Sequence, residues 1–225
     1  MIRTPPIRAV FFDAVGTLIH PAVPAPRKYA EVAIHYGCQF SVDQIRERFL
    51  AAFREEERID RAANWVTSEE REVERWRRIV AGTISDDGDC FRELYDHYAR
   101  PEAWAVDTEA ARVFAGLRER GVVLGLASNY DSRFERVIEG HAELRGLRPN
   151  IAISSRVGHR KPGGAFFEAV TESVGLSASE IALVGDDVEN DFGGASSAGM
   201  TAILLDPRAR FPAIGNRITS LCELL

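Results

Sequence analysis

Residues 10–19 read VFFDAVGTLI: an apolar run, one acid at Asp13, then small and apolar residues again. Continuous rather than alternating hydrophobicity marks a strand covered on both faces, as in a parallel sheet. A lone carboxylate closing such a strand contributes nothing to packing and points to whatever lies beyond the strand end. Four further runs share the character of the first: VVLGLAS (122–128), NIAISS (150–155), IALVGD (181–186) and TAILLD (201–206). Helical patterns separate them. Val113, Phe114 and Leu117 share one face, with Gly121 as a stop, and Phe166, Phe167, Val170 and Val174 share another. The alternation predicts an α/β fold with a Rossmann-like, doubly wound parallel sheet.

Residues 26–100 break that rhythm with helical periodicity and no strand pattern. Four stripes are visible: Tyr29, Val32, Ala33 and Tyr36; Ile45, Phe49, Ala52 and Phe53; Val73, Trp76 and Val80; Phe91, Leu94, Tyr95 and Tyr98. Ser41 with Gln44, and Thr67 with Glu70, have capping-box spacing before the second and third. These patterns predict an inserted four-helix cap over 21–100, with residues 1–20 and 101–225 forming the main domain. HPAVPAP (20–26) and RPEAW (100–104) are the expected hinges, where prolines break helices.

Composition narrows the function. Of 225 residues, 45% are apolar and 28% charged, as in an ordinary globular protein. The formal net charge is −6 and no Lys/Arg-rich run occurs, which argues against nucleic acid as a partner. No run is long enough to span a bilayer, and no apolar leader precedes Asp13. Cys38, Cys90 and Cys222 are odd in number and lack metal-ligand spacing, as expected of buried reduced thiols. The expectation is a soluble cytoplasmic protein acting on a small molecule, with monomer and homodimer both open. Lys28 and Lys161 are the only lysines beside many arginines.

In open parallel sheets, ligands bind beyond the carboxyl ends of the strands. Those ends deliver Asp13, then Ser128 and Asn129, then Asp186 followed by Asp187, Glu189 and Asp191; Lys161 follows the third run in GHRKPGG. Four acids within GDDVEND repel one another unless a cation or solvent absorbs the charge. Magnesium suits such oxygen donors.

On these residues the chain resembles the haloacid dehalogenase (HAD) superfamily. The superfamily's four motifs are matched in order by DAVGT (13–17), LASN (126–129), RKPGG (160–164) and GDDVEND (185–191), and the helical insert resembles the cap of many members. The resemblance implies a hydrolase in which Asp13 is a covalent nucleophile. It implies that Ser128 and the Asn129 amide bind the transferring group, that Lys161 neutralises charge, and that Thr17 braces the turn and serves substrate binding. It implies Mg2+ held by Asp13, the Val15 carbonyl and Asp186, with Asp187 and Asp191 as water-mediated ligands.

Val15 departs from the family pattern. HAD phosphatases usually place a second Asp there as general acid and base, and losing such a group costs about 10² to 10⁴ in rate. Three accounts fit the gap. A phosphorylated substrate has a good leaving group, or another residue supplies the proton. The reaction is of another type: dehalogenases read Asp-x-Tyr-Gly-Thr here, and phosphonoacetaldehyde hydrolases Asp-x-Ala-Gly-Thr. Or the chain binds phosphometabolites with little turnover. Dehalogenases lack the Gly-Asp pair that Gly185 and Asp186 supply, and a phosphonatase needs a cap lysine, for which Lys28 is the one candidate. A metal-dependent, phosphatase-like hydrolase is the leading expectation. His20, where the chain leaves for the insert, is the nearest replacement proton carrier, although a plain hinge residue is the competing reading. Arg54, Arg58, Trp65 and Trp76 could reach the substrate from the insert, but Trp76 lies on an apolar stripe and the arginines read as a solvated face. Asp191 could instead cap the helix expected over 191–199.

Overall fold

The computed structural model describes residues 6–225. Residues 1–5, which the sequence assigns to the main domain, lie outside the described residues. The run at 10–19 begins as strand β1 (Ala9–Phe12), every residue of it buried. After Asp13 the chain turns tightly, the Ala14 carbonyl accepting from the amides of Thr17, Leu18 and Ile19. It then forms the short strand β2 (Ile19–Pro21).

Four helices follow, α1 (Ala25–His35), α2 (Val42–Ala62), α3 (Glu69–Thr83) and α4 (Gly88–His97). Their stripes meet around Tyr29, Val32, Ile45, Val80, Phe91 and Leu94, a core separate from the sheet's. Ser41 and Gln44 form the expected capping box on α2. On α3 the cap sits one residue later than expected. Ser68 Oγ accepts from Arg71 N at 3.2 Å, while the Thr67 hydroxyl turns inward and donates to Glu72 at 2.9 Å.

The chain returns through β3 (Trp104–Val106), α5 (Ala110–Glu119), β4 (Val123–Ser128), α6 (Arg133–Gly140), β5 (Ile151–Ile153), α7 (Ser154–Val157) and α8 (Gly164–Val174). It closes with β6 (Ile181–Gly185), a single π turn (Val188–Gly193), α9 (Gly194–Ser197), β7 (Thr201–Leu205) and β8 (Arg217–Ile218). The expected hinges are not free linkers. Strands β2 and β3 pair antiparallel, Ile19 opposite Val106 and Pro21 opposite Trp104, so the crossings satisfy each other's backbone groups.

Six strands form one parallel sheet in the order β5-β4-β1-β6-β7-β8. Alternation along β1 divides its side chains between two cores. Val10 and Phe12 join Phe114, Leu126 and Phe134 on one face; Ala9 and Phe11 join Phe166, Phe167 and Leu183 on the other. Gly125 lies in a strand interior because the Phe11 ring occupies the space of its missing Cβ, 2.3 Å away. With β1 between β4 and β6, the carboxyl ends of three neighbouring strands meet at one rim. The helical segment docks beside that rim: Thr67 N donates to the Gly158 carbonyl at 2.9 Å and Arg160 N to the Trp65 carbonyl at 2.8 Å. No helix among the described residues is long and apolar enough to cross a membrane.

Candidate active site

Residues 13, 128, 161 and 186 line one cleft of about 390 Å³ between the strand ends and the helices. At its floor Lys161, 1% exposed, holds three oxygens with its ammonium group. Nζ donates to Asp13 Oδ1 at 2.7 Å, to Asp191 Oδ1 at 2.5 Å and to the Ala127 carbonyl at 2.7 Å. Asn129 fixes the loop that carries the lysine: its side chain accepts from Lys161 N at 2.8 Å and donates to Lys161 O at 2.9 Å. The loop therefore cannot shift without breaking two bonds. Ser128, 2% exposed, lines the same floor.

Two glycines make room for the acids. Gly16 has φ +98°, and a Cβ there would lie 2.5 Å from the Asp186 carboxylate; a Cβ on Gly185 would lie 2.2 Å from Asp191. Asp13, Asp186 and Asp191 consequently bring one oxygen each within 4.8 Å of the others. Burial raises the Asp186 pKa to about 6, with Asp191 and Asp187 pushing the same way. Burial likewise raises Asp191, to about 7, against the pull of Lys161. Asp13 is also pushed up by burial and by Asp186, opposed by Lys161. Three hard oxygen donors whose mutual repulsion is only partly relieved fit a divalent cation such as magnesium.

Several expected site residues take another part or fall elsewhere. Asp187 is the cap and Asp191 is not. Asp187 Oδ1 accepts from the amides of Glu189 and Asn190 at 2.8 and 2.7 Å, opening the π turn. That turn brings Asp191 back over Gly185, where its Oδ2 accepts from Asp187 N at 3.1 Å. Asp191 thus joins the close carboxylate group, while Asp187 lines the cleft with its Oδ1 committed to the turn. Thr17 does not line the cleft, because the turn on the Ala14 carbonyl swings it into the core, where it is fully buried. His20 lies on the ribbon, half exposed and 3.9 Å from Asp107, and also misses the cleft. Lys28 faces Glu31 on α1, which removes the support for Schiff-base chemistry. Arg54 is exposed and Arg58 pairs with Glu55 at the surface. Of the thiols only Cys90 is buried, and all three are free.

The roof of the cleft holds what the sequence did not signal clearly. Trp65 lines it, and so does Trp76, which was expected in a core. Phe49, Phe53, Glu57, Arg75, Arg133 and Arg160 join them. Behind this wall lies a buried charge network: Asp60 accepts from Arg71 at 2.6 Å and from Arg75 Nε at 2.9 Å, and Glu72 is ion-paired to Arg160. One signal was available. The apolar stripe of α2 runs on into Glu56 and Asp60, and Glu72 and Arg75 precede Ile79 on the buried face of α3. Charges in an apolar register mark a buried polar site.

The sequence profile of the haloacid dehalogenase-like hydrolases matches residues 7–199. A ribulose-1,5-bisphosphate 5-phosphatase of Halopiger xanaduensis is 28% identical over 204 residues, 88% of this chain and 84% of that protein. The haloacid dehalogenase-like hydrolase domain-containing protein 3 of Danio rerio is 25% identical over 210 residues, 89% and 86% of the two chains. Among solved structures, an L-2-haloacid dehalogenase superposes with a TM-score of 0.78 at 22% identity, covering 98% of this chain and 97% of its own. A HAD phosphatase from Thermococcus onnurineus gives 0.67 at 22% identity, covering 97% and 96%. Fold and profile agree on a Rossmann-like α/β fold of the HAD type. The chain belongs to the haloacid dehalogenase-like hydrolases.

Proposed function

We propose that the protein is a magnesium-dependent, phosphatase-like hydrolase that forms a covalent aspartyl phosphate on Asp13. The observation that carries the reading is the floor geometry. Lys161 holds one oxygen of Asp13, leaving the other toward the cleft, beside two further carboxylates with a cation-sized gap among them. Asp13, Asp186 and Asp191 would hold the ion, together with the Val15 carbonyl. When bound, magnesium supplies counter-charge to the phosphoryl oxygens and lowers the carboxylate pKa values that burial raises. Lys161 keeps Asp13 ionised and screens the incoming phosphoryl group. The Ser128 hydroxyl and the Asn129 amide donate to that group's oxygens. Residues 21–100 act as the cap, their aromatic face excluding water from the cleft.

A carboxylate triad repels the carboxylate of a 2-haloacid, which places dehalogenation second despite Val15. A panel of acyl phosphates, sugar phosphates, phosphonates and 2-haloacids, each with magnesium and with chelator, tests the reading. Magnesium-dependent phosphate release that falls at least about 10⁴-fold in Asp13→Asn is the expected result. Chelator-insensitive turnover of 2-haloacids would replace it with dehalogenation, and no turnover on any class would leave a binding protein.

A further inference from the structure

Arg75 is an unusual residue to find in the roof. It is 2% exposed, lines the cleft, and has its guanidinium stacked 4.5 Å from the Phe53 ring centroid and 5.8 Å from that of Trp76. Its Nε is committed to Asp60, yet Nη2 has no hydrogen-bond partner among the described residues. A buried donor left unpaired has given up its hydration with no bond in return. Burial and the neighbouring Arg160 also lower the Arg75 pKa to about 10, against the pull of Glu72 and Asp60. Around it the wall is aromatic, with Phe49, Phe53, Trp65, Trp76 and Tyr98 along the cleft. In the same cleft Val15 offers no proton to a leaving group.

From these three features together we infer that the substrate is an aryl phosphate bearing a carboxylate, its ring against the aromatic wall and its carboxylate paired with the guanidinium of Arg75. The inference rests on the phosphatase reading and gives it a substrate class. Asp13 attacks phosphorus, the P–O(aryl) bond breaks, and the phenolate departs with the electron pair. A phenol has a pKa of about 10, so its anion leaves without a proton, as an alkoxide does not. Water then attacks the aspartyl phosphate, the P–O(Asp13) bond breaks, and phosphate leaves with one of the water's protons while the other passes to solvent.

The test compares 4-carboxyphenyl phosphate, phenyl phosphate and ethyl phosphate, each with magnesium. In the wild type the expected order of kcat/KM is carboxyphenyl, then phenyl, then ethyl, with the first step worth about tenfold to a hundredfold. Arg75→Lys keeps the charge facing Asp60 but removes the second amine. It should raise KM for carboxyphenyl phosphate by a similar factor beyond whatever change it makes for phenyl phosphate. Ethyl phosphate turned over as well as the aryl esters, or equal KM changes for both aryl esters in Arg75→Lys, would overturn the inference while leaving the phosphatase reading intact. No turnover of any of the three esters would also overturn the inference, and the phosphatase reading would then stand or fall on the wider panel of acyl and sugar phosphates. The wild-type ranking needs no variant to fold.

Discussion

The floor and the roof of the cleft are built by different means. Asp13, Ser128 and Asp186 each stand at or next to the end of a buried strand, so backbone pairing of β1, β4 and β6 fixes their spacing. Phe53, Arg75 and Trp76 come from α2 and α3, and the packing of those helices against each other places them. The reacting chemistry is therefore written in short local patterns. Recognition is written in long-range contacts, held by a buried ion-pair network that ties the two helices to the Arg160 loop.

The comparison breaks first at Asp60. It is 1% exposed and accepts from Arg71 and Arg75, so Asp60→Ala strands the buried Arg75 and takes from the half-buried Arg71 one of its two carboxylates. A loss of about 3–5 kcal/mol in urea unfolding is expected, against little for a surface acid such as Asp43. Equal effects at the two positions would mean that the roof does not depend on the network.

Val15→Asp sharpens the floor. Restoring an acid two residues after Asp13 should raise turnover of ethyl phosphate by about 10² or more and raise that of phenyl phosphate much less. A uniform gain on both esters would show that the proton is not what the floor lacks.

Acidity gives a smaller, signed effect. Asp186 is raised to about 6 in the folded, metal-free protein, so folding favours its protonated form. Stability from that proton is present below about pH 4 and lost as pH rises through about 6. In chelator the wild type should lose melting temperature relative to Asp186→Asn between about pH 4.5 and pH 7.5. Added magnesium should reverse the order at the higher pH, because the wild type binds it more tightly. Parallel melting curves throughout would count against a strained carboxylate cluster. Smallest of all is His20→Gln. With the histidine on the ribbon and away from the cleft, turnover and its pH profile should not change. A lost ionisation in that profile would return His20 to the chemistry.

Most of the sheet and of the floor was legible because buried parallel strands leave unbroken apolar runs and their ends leave polar residues with no packing reason to be there. The errors share a cause, local geometry that residue type alone does not encode. The cap falls on Asp187 and not on Asp191 because the chain winds a π turn from 188 to 193 in place of an α-helix beginning at 191. Thr17 left the site because three amides converge on one carbonyl at Ala14. The ribbon was missed because two strands of three residues carry too short a pattern to read, and one of them contains a proline. Trp76 shares its helix face with core residues and still opens on the cleft, a distinction of a few ångströms that periodicity cannot make.

That ribbon has a wider consequence. The chain departs at Pro21 and returns at Trp104 through neighbouring strands, which lie roughly 4.8 Å apart whatever is threaded between them. A different helical module spliced at the same two points would inherit its seat above the nucleophile without any change to the sheet. Selectivity in this architecture is thus open to transplantation, with the reactive groups left in place.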